Sequence, residues 1–434
     1  MKYDVIIMGG GISGLVCGIR CAGAGLKTAV ISGGASALHF SSGCIDLLGR
    51  HPKGQIVRAP YEALDDFISK HPGHPFARTG IQAIGEALAF FRSQTAAQGL
   101  EYASNGVGNH FHVTPLGTLK PTYLSPKGVF SEKVRGMFEK KGNILILNFE
   151  GYRDFSPRLA AANLAAHPLY TDCRIFTGVV SLPESIKAPG LQMRSIDIAR
   201  LFEKPQHLEN IAQEIRLKAK EVEFVALPAF LGIEHAGEVL EELQEKTGRI
   251  IYEVPTLPPS ILGMRLDFAL KSRFAALGGV LISGDKVVSG TVENHRVVSV
   301  CTQNNGETRL KARWFVLATG SFFSGGLKSD ASTISEPVFN LAVEASLPRS
   351  TWRGAAFFDP ESHPFLSFGV RTNEKLHPYD ASSALVENLF CAGAVLAHYN
   401  PVAEGTGGGV AVTTGHCVAG RIISAMNRQA VSAT

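Results

Sequence analysis

The residues best suited to chemistry are glycines near the start of the chain, in the order Gly9-x-Gly11-x-x-Gly14. An apolar run, 4–8, leads straight into them, and a helical segment follows. In this order the first glycine permits a tight turn, the second lets backbone N–H groups approach a phosphate, and the third lets the helix lie close to a sheet. The phosphate would lie at the positive end of the helix dipole. The predicted contacts are Gly9, Gly10, Gly11, Ile12, Ser13 and Gly14.

Two later segments are predicted to meet this loop. Ala318-Thr319-Gly320 ends a buried strand that is expected beside the first strand, and open α/β sheets bind ligands at that edge. Gly393 ends another apolar run, and a second glycine-rich helix start follows at 404–409. Such a start directs its N–H groups and dipole at an electron-rich ring edge, such as the N1/O2 edge of a flavin. The segments together predict flavin contacts at Ala318, Thr319, Gly320, Gly393, Glu404, Gly407, Gly408 and Gly409.

A doubly wound fold is needed to position these residues. Residues 1–48 have the pattern strand, helix, strand, loop, and amphipathic helices are expected around 81–91 and 266–277. Four strand runs, at 280–283, 286–293, 296–302 and 308–312, with a turn at Asn305-Gly306, predict a β meander. We therefore expect an α/β protein with a discontinuous Rossmann-like flavin-binding domain, mostly parallel sheet plus meander, and an inserted α+β domain. The predicted boundaries are 1–50, 250–330 and 386–434 for the flavin-binding domain, 51–249 for the insert and 331–385 for a cap segment.

The composition describes a globular protein. It is 45% hydrophobic and 18% charged. A chain of 434 residues is too long for a single compact core, so two or three structural units are predicted. The net charge of +4 comes from scattered Lys and Arg, so no nucleic acid partner is expected. Seven cysteines without a Cys-x-x-Cys pair indicate reducing cytoplasm, and no metal site is predicted. We expect no transmembrane helix, since that needs about 18 apolar residues in a row, and no signal peptide, since Asp4 and the glycines interrupt the apolar run.

One longer string is more specific than the glycines. Ser36-Ala-Leu-His-Phe-Ser-Ser-Gly43, together with 8–14 and 407–409, resembles the B subunit of the anaerobic glycerol-3-phosphate dehydrogenases, within the fumarate reductase/succinate dehydrogenase-like class of flavoproteins. The likeness extends over essentially the whole chain. It implies a subunit that takes part in oxidising sn-glycerol 3-phosphate to dihydroxyacetone phosphate and in passing electrons to a quinone during anaerobic growth. It also implies cofactor contacts at Ser41, Ser42 and Gly43.

The same resemblance implies a heterotrimer. In that family the A subunit looks like the FAD-bearing catalytic chain, the C subunit looks like the iron–sulfur membrane anchor, and the B subunit is the FMN-binding partner. Glycerol 3-phosphate and quinone are then ligands of the whole complex. The chain would lie at the cytoplasmic side of the inner membrane and be attached there through its partner subunits.

One position departs from the general FAD pattern. About twenty residues beyond the glycine loop, an Asp or Glu usually holds the ribose hydroxyls, and here that position is Ser32. No arginine stands there for an NADP phosphate. FMN has one phosphate and no adenosine, so it is compatible with this change. FAD stays open as the alternative, because the hydroxyl of Ser32 can still bond a ribose.

Candidate reactive side chains lie beside these segments. His39 is in the loop that carries the resemblance, and His398 and Tyr399 lie between two predicted cofactor segments. Each is a catalytic candidate, and each also suits a structural role. No histidine and carboxylate stand at a spacing in the sequence that would indicate a catalytic pair, so the sequence identifies no catalytic base. Arginines that suit a phosphate monoester, or simply a solvated surface, are Arg349, Arg353 and Arg371.

Two other functions stay open. The chain also suits a stand-alone soluble FAD-dependent oxidoreductase of unknown substrate, which would be active by itself. It also suits a non-catalytic structural subunit with a vestigial flavin fold, which would be colourless.

Overall fold

The computed structural model describes residues 2–51, 54–106, 108–140, 142–182, 192–220, 222–306, 308–346, 348–359 and 361–431. The chain forms two compact units. The first comprises 1–37, 45–94 and 270–434, and the second comprises 38–44 and 95–269. Residues 51–94 belong to the first unit, whereas the sequence placed the start of the inserted domain at residue 51. The domain assignment itself stays a prediction.

Strands and helices alternate over much of the chain. The strands are β1 Lys2–Met8, β2 Thr28–Ser32, β3 Tyr102–Ala103, β4 His110–Val113, β5 Leu119–Thr122, β6 Ser125–Pro126, β7 Ile144–Phe149, β8 Ile175–Val180, β9 Phe224–Pro228, β10 Ile250–Val254, β11 Val280–Ser283, β12 Val287–Glu293, β13 Arg296–Thr302, β14 Lys311–Leu317, β15 Lys328–Ser329, β16 Ile334–Ser335, β17 Val343–Glu344, β18 Gly369–Val370 and β19 Leu389–Cys391. The helices are α1 Ile12–Gly23, α2 Pro60–Lys70, α3 Pro75–Thr79, α4 Ile81–Ala96, α5 Glu132–Lys140, α6 Pro157–Ala165, α7 Ser195–Phe202, α8 Pro205–Ala219, α9 Ala236–Thr247, α10 Ile261–Ala276, α11 Pro401–Glu404 and α12 Gly407–Val431.

The first unit is built on a five-stranded sheet in the order β11-β2-β1-β14-β19. Every neighbouring pair in this sheet is parallel. Met8, at the end of β1, lies opposite Ile31 of β2 and Leu317 of β14. The carboxyl ends of these strands therefore meet at one edge, which confirms the predicted position of the 318–320 segment beside the first strand. The predicted α/β class with a parallel sheet is confirmed as well.

Small residues let the helices of this unit pack closely. A Cβ at Gly18 of α1 would lie 3.1 Å from Val30 Cγ2 of β2, so α1 lies flat on the sheet. A Cβ at Gly415 of α12 would lie 2.3 Å from the carbonyl oxygen of Ser13. Such a distance is below any van der Waals contact, so α1 and α12 can approach this closely only with glycine at position 415.

The predicted β meander is corrected at its first strand, and its central hairpin is confirmed. Val280–Ser283 is β11, which pairs in parallel with β2 as an outer strand of the main sheet. β12 and β13 form the antiparallel hairpin predicted at 286–293 and 296–302, and its turn is made by Asn294 and His295, with φ of 47° and 60°. Both residues are left-handed, as a tight hairpin turn requires. The predicted turn at 305–306 lies in the loop that is closed by an antiparallel bridge between Val300 of β13 and Leu310.

The predicted cap segment contains little regular structure among its described residues. Two short antiparallel ribbons, β15–β16 and β17–β18, lie between β14 and β19. Isolated bridges, such as the one between Thr372 and Pro378, connect the remainder. None of the described helices is long and apolar enough to cross a membrane.

The second unit has its own four-stranded sheet in the order β10-β9-β7-β8, and every pair is parallel. Helices α6 to α9 form the connections, since parallel neighbours need a long crossover. The predicted α+β insert is therefore corrected to a parallel α/β sheet with two short antiparallel ribbons, β3–β6 and β4–β5. The core of the unit is formed by apolar side chains of these strands, such as Ile144, Leu147, Val225 and Leu227.

An ion pair is buried in this second unit. Arg265 of α10 donates to the two carboxylate oxygens of Glu253 in β10, at 2.6 and 2.8 Å. Its Nε also donates to Gly232 O at 2.7 Å, and Glu253 accepts the N–H of Leu231. Both charges are thus hydrogen bonded, and removing either one would leave the other buried alone at a cost of about 3–5 kcal/mol.

Candidate functional site

The glycine loop between β1 and α1 is a turn that tolerates no side chain at two of its positions. Gly9 has φ of 119°, and a Cβ there would lie 2.1 Å from Ala318 O. A Cβ at Gly14 would lie 2.0 Å from Gly9 O. Gly11 is different, because a Cβ there would meet no atom within 4 Å. The first and third glycines therefore serve packing, and the space beside the second is open.

Two segments that are distant in sequence, 318–320 and the one that contains Gly393, meet at this loop. The N–H of Ala318 donates to Met8 O at 2.8 Å, which joins the 318–320 segment to the end of β1. The hydroxyl of Ser13 donates to Ala392 O at 3.4 Å, and a Cβ at Gly393 would lie 2.3 Å from that hydroxyl. The first unit thus brings together the glycine loop, the 318–320 turn and residue 393. Their contact with a cofactor stays a prediction.

The start of α1 is suited to an anion. Its N-cap is Gly11 in extended conformation, no described side chain caps it, and its first turn has no acidic residue. The first backbone N–H groups of a helix have no partner within the helix, so this end favours a phosphate. Thr319 adds a buried hydroxyl oxygen that has no hydrogen-bond partner among the described residues. These observations fit the phosphate and polar edge of a flavin nucleotide.

The end of β2 offers no free carboxylate to a ribose. Ser32 is buried, its hydroxyl donates to Gly34 O at 3.1 Å, and a Cβ at Gly10 would lie 2.6 Å from its oxygen. On the neighbouring strand, Asp285 lies two residues beyond the partner of Ser32. Its Oδ1 accepts the backbone N–H groups of Lys286 and Asn304, at 2.9 and 3.0 Å. Asp285 thus holds its own turn together.

The second glycine-rich helix start is used by the protein itself. The N–H of Gly409 donates to Asp46 O at 2.8 Å, and a Cβ at that position would lie 2.8 Å from the same oxygen. A Cβ at Gly408 would lie 3.1 Å from the Cα of Ile45, and one at Gly407 would lie 3.1 Å from the Cβ of Pro401. These glycines let α12 begin directly against other backbone, and their predicted contacts with a cofactor stay predictions.

Glu404 is held by a buried histidine that the sequence analysis missed. His74 is buried, and its Nδ1 accepts the N–H of Phe76 at 3.0 Å. Nε2 is therefore the protonated nitrogen, and it donates to Glu404 Oε2 at 3.2 Å. Glu404 also accepts the N–H of Asn400 and the hydroxyl of Thr406, both at 2.9 Å. This network fixes the turn before α12, and a cofactor role for Glu404 stays a prediction.

Of the two candidates that precede this turn, one is exposed and one is buried. His398 has φ of 70°, and a Cβ at Gly73 would lie 3.0 Å from its Cγ. Loss of water on one side of the ring and the nearby Arg78 guanidinium lower the pKa of His398, so its imidazole favours the neutral form. Tyr399 is buried edge-on against the His74 ring, at 5.8 Å between centroids, and burial raises the pKa of its phenol. Tyr399 therefore stays protonated and serves packing.

In the second unit, His39 has a carboxylate partner. Its Nε2 lies 3.1 Å from Asp267 Oδ2, and the His39 side chain keeps 23% of its surface exposed. A Cβ at Gly263 would lie 1.8 Å from Leu38 O, so glycine in α10 brings that helix against the His39 segment. The pair was missed because 228 positions separate its members. A histidine oriented by a carboxylate is the arrangement of many proton-accepting groups.

The segment 36–43, which carries the family resemblance, is a loop that is held mainly by hydrogen bonds within itself. Ser41 Oγ donates to Leu38 O at 2.8 Å and accepts the N–H of Gly43 at 3.3 Å. Ser42 Oγ accepts the N–H of Cys44 at 3.4 Å, and Tyr102 donates to Gly43 O at 2.6 Å. Gly43 has φ of 72°, which a side chain would disfavour. The predicted contacts of this loop with a cofactor stay predictions.

The three predicted phosphate-binding arginines differ in their surroundings. Arg349 is exposed and lies over the Trp352 ring at 5.1 Å, and Arg353 is exposed as well. Arg371 is half-buried, donates to the hydroxyl of Ser383 and lies over the Tyr379 ring at 5.1 Å. Among the described residues, no three His, Cys, Asp or Glu side chains are arranged to hold a metal ion.

The fold and the glycine loop define a flavoprotein of the FAD binding domain family, whose model matches residues 4–410. Among solved structures, the 3-ketosteroid Δ1-dehydrogenase of Sterolibacterium denitrificans matches 98% of this chain and 100% of its own, at 12% identity and a TM-score of 0.45. Nothing about its substrate transfers to this chain at that similarity.

Curated relatives are much more similar. A protein of Aliivibrio fischeri is 39% identical over 436 residues, which cover 98% of this chain and 96% of the relative. One of Vibrio vulnificus is 40% identical over 419 residues, 95% of this chain and 94% of the relative. Both are named as the B subunit of an anaerobic glycerol-3-phosphate dehydrogenase. The chain belongs to this family of B subunits, which confirms the resemblance that the sequence suggested.

Proposed function

We propose that this chain binds FMN and acts as the flavin-binding B subunit of an anaerobic glycerol-3-phosphate dehydrogenase. The complex oxidises sn-glycerol 3-phosphate to dihydroxyacetone phosphate and passes the electrons to a quinone. The relatives' name supports the reaction. The observation that carries flavin binding is the uncapped start of α1, bordered by Ala318 and Gly393.

The residues that would hold the flavin belong to the first unit. The first-turn N–H groups of α1, beginning at Ile12, would bind the phosphate, and the buried Thr319 hydroxyl would supply a hydrogen bond. A bound flavin supplies the ring that accepts and releases electrons. The protein contributes position and electrostatics, and glycine at position 11 keeps the approach to the N–H groups open.

The end of β2 supports FMN over FAD. An adenosine ribose is usually held there by a carboxylate, and the neutral Ser32 hydroxyl, whose proton is donated to Gly34 O, is a weaker acceptor than a carboxylate. Asp285, on the adjacent strand, has Oδ1 occupied by two backbone N–H groups. FMN has no adenosine and needs neither group.

For catalysis we propose His39 as the proton-accepting side chain, with Asp267 as its positioning residue. A hydrogen bond from Nε2–H to Asp267 would leave Nδ1 as the nitrogen that accepts a proton. Tyr399 is a weaker candidate because its phenol is buried. His398 is exposed, but it lies near the positive charge of Arg78.

The proposed partners are the FAD-bearing catalytic A subunit and the iron–sulfur membrane-anchor C subunit of the same complex. The relatives' name describes each of them as one subunit of an enzyme, and no described helix of this chain is suited to cross a membrane. We therefore propose a peripheral position at the cytoplasmic side of the inner membrane, through those partners.

The cofactor released by the purified chain tests this function. A yellow protein that releases FMN on denaturation, identified by chromatography, is the expected result. Release of FAD would contradict the cofactor assignment, and a colourless chain that takes up neither flavin would favour a vestigial fold. Glycerol 3-phosphate oxidation by the isolated chain would favour the stand-alone oxidoreductase.

A further inference from the structure

The sheet of the second unit has one edge that the chain itself covers and one that its described residues leave open. The outer strands of this sheet are β10 and β8. At β10, Gln244 Oε1 accepts the N–H of Ile251 at 3.2 Å, and Gly128 O accepts the N–H of Glu253 at 2.7 Å. At β8, none of the described residues pairs with the outer edge of the strand.

The register of β8 shows which of its backbone groups point away from the sheet. The carbonyl oxygens of Arg174 and Val180 each accept an N–H from the β7 side at 2.9 Å. Alternate residues of a strand face the same neighbour, so the even-numbered residues from 174 to 180 face β7. The residues that face outward are Ile175, Thr177 and Val179. Their N–H and C=O groups have no hydrogen-bond partner in the part of the chain that the structure describes.

The side chains of β8 do not protect this edge. The strand, Ile175–Val180, contains neither a charged residue nor a proline, which are the residues that usually block pairing at a sheet edge. Phe176 and Val179 leave 47% and 50% of their surface exposed. The two helices that contact the strand each add an exposed leucine, Leu159 in α6 and Leu217 in α8. An apolar edge of this kind is a template for an added strand.

The charge beside the strand limits which strand fits. Arg174 directly precedes β8, is exposed, and forms no ion pair with Asp172 or with any other described residue. Lys218 of α8 lies beside the strand, but its charge is balanced by Glu214, at 3.5 Å between Nζ and Oε2. The uncompensated charge at this edge is therefore positive, and it favours a partner that places a carboxylate beside Arg174.

A second copy of β8 does not supply that carboxylate. Residues 174–182 contain no acidic side chain, so pairing of two copies would leave the charge of Arg174 uncompensated in both. The chain belongs to a family whose members are named as one subunit of an enzyme. Another subunit of that enzyme is therefore the occupant that the edge favours.

We propose that β8 is the docking edge for another subunit of the enzyme, which adds an extended apolar strand with a carboxylate beside Arg174. The identity of the partner rests on the proposed function. The edge itself contains none of the predicted flavin contacts. Hydrogen bonds to the outward backbone groups supply affinity, and contacts with Phe176 and Val179 supply specificity.

Hydrogen–deuterium exchange at single-residue resolution tests this edge. The purified chain is compared with the complex that forms when it is co-expressed with the other subunits. On assembly, the N–H groups of Ile175, Thr177 and Val179 should exchange about tenfold more slowly, because they gain acceptors. The alternate residues of β8 are the internal control, because β7 already pairs them and their exchange should change much less. The N–H of Ile251 at the covered edge should be unaffected.

Variants of β8 test the same edge by co-purification of the other subunits with the chain. Thr177→Pro removes the central outward donor without removing a hydrogen bond to β7, and it should lower recovery about tenfold or more. Thr177→Val retains the N–H and is the matched control, which should recover normally. Arg174→Gln should lower recovery about two- to fivefold, because the charge is exposed. Lys204→Gln, at an exposed lysine before α8, should have no effect.

The outcomes separate this proposal from the proposed function. Unchanged exchange of the outward N–H groups on assembly, or normal recovery with Thr177→Pro, would overturn the docking edge. Protection that appears in the isolated chain and rises with its concentration would assign the edge to a second copy instead. Failure of the parent chain to assemble would contradict the proposed partners, whereas assembly with an unprotected edge would contradict this proposal alone. Thermal unfolding and flavin content of each variant show whether its fold persists.

Discussion

The first unit contains two glycine-rich helix starts with opposite uses. At the start of α1, no described side chain caps the helix, and the space beside Gly11 is open. At the start of α12, Gly409 donates its N–H to Asp46 O, and the preceding Glu404 accepts from His74. The start of α1 leaves its N–H groups uncapped by any described side chain, whereas the start of α12 uses the N–H of Gly409 within the protein.

The difference shows that a run of glycines indicates a close approach to the backbone of the helix start. Whether a ligand or another part of the chain makes that approach depends on what the fold places beside the glycines. At α1 the neighbour is absent on one side, which suits a phosphate. At α12 the neighbour is the chain itself, at 45–47. Sequence reasoning assigned both starts to the cofactor, because both have the same local pattern.

The largest expected effect comes from a side chain in the α1 turn. Gly9→Ala places a Cβ 2.1 Å from Ala318 O at φ of 119°, so we expect the free energy of unfolding to fall by about 3–5 kcal/mol and flavin to be lost. Gly11→Ala is the matched control. Its Cβ enters open space, so the variant should fold normally and lose flavin affinity only. Thermal unfolding and flavin content measure both, and normal flavin content in Gly9→Ala would contradict the arrangement.

At α12 the corresponding loss should appear in stability rather than in flavin content. Glu404→Ala removes three hydrogen bonds and leaves the Nε2–H of His74 buried without an acceptor. We expect the free energy of unfolding to fall by about 2–3 kcal/mol. Glu404→Gln retains one acceptor oxygen and should lose less. Folded Glu404→Ala that contains no flavin would instead place this residue in the cofactor site.

The contact between the two helices should respond to acid. Burial and the Arg20 guanidinium lower the pKa of His416, in α12, to about 4, and Arg20 donates to its Nδ1 at 3.0 Å. The folded pKa lies below the unfolded value, so the stabilisation is complete above pH 6.5 and is lost as pH falls towards 4. At pH 5 the loss is about 2 kcal/mol, from about 1.4 kcal/mol per pH unit. Denaturant unfolding between pH 7 and 5 measures this.

Other histidines contribute to the acid response, so a control isolates this one. His416→Gln should abolish its share of the pH slope while retaining a side chain that accepts a hydrogen bond from Arg20. An identical slope in the variant and the parent protein would contradict the assignment.

The smallest expected effect concerns the choice of flavin at the α1 site. Ser32→Glu restores the acidic residue that usually holds a ribose, so FAD affinity should rise about tenfold relative to FMN affinity. Ser32→Gln has the same size without the charge and should change the ratio less. Competition binding of the two flavins to the apoprotein measures the ratio, and a ratio unaffected by the acid would show that position 32 does not face the nucleotide.

Local pattern was sufficient for much of the first unit. The strand–helix–strand start, the helix that became α4 and the strand leading to Ala318 were read from periodicity, because each repeats over many residues. The strand Val280–Ser283 was assigned to a meander, whereas it pairs in parallel with β2. The sequence of four residues does not indicate which other strand they pair with. The strands on either side of Asn294 and His295 were read from the same kind of pattern, although the turn between them lacks the usual glycine.

The sequence by itself determined the class of fold, the glycine turn between β1 and α1 and the family, since these depend on local spacing and on a specific string of residues. Only the tertiary structure decided the pairs that span hundreds of positions. His39 with Asp267 and His74 with Glu404 are examples, separated by 228 and 330 positions. The physical reason is that a helix or a turn is specified by neighbours in the chain, whereas the acceptor for a ring N–H such as those of His39 and His74 is specified by whichever side chain the fold brings beside it.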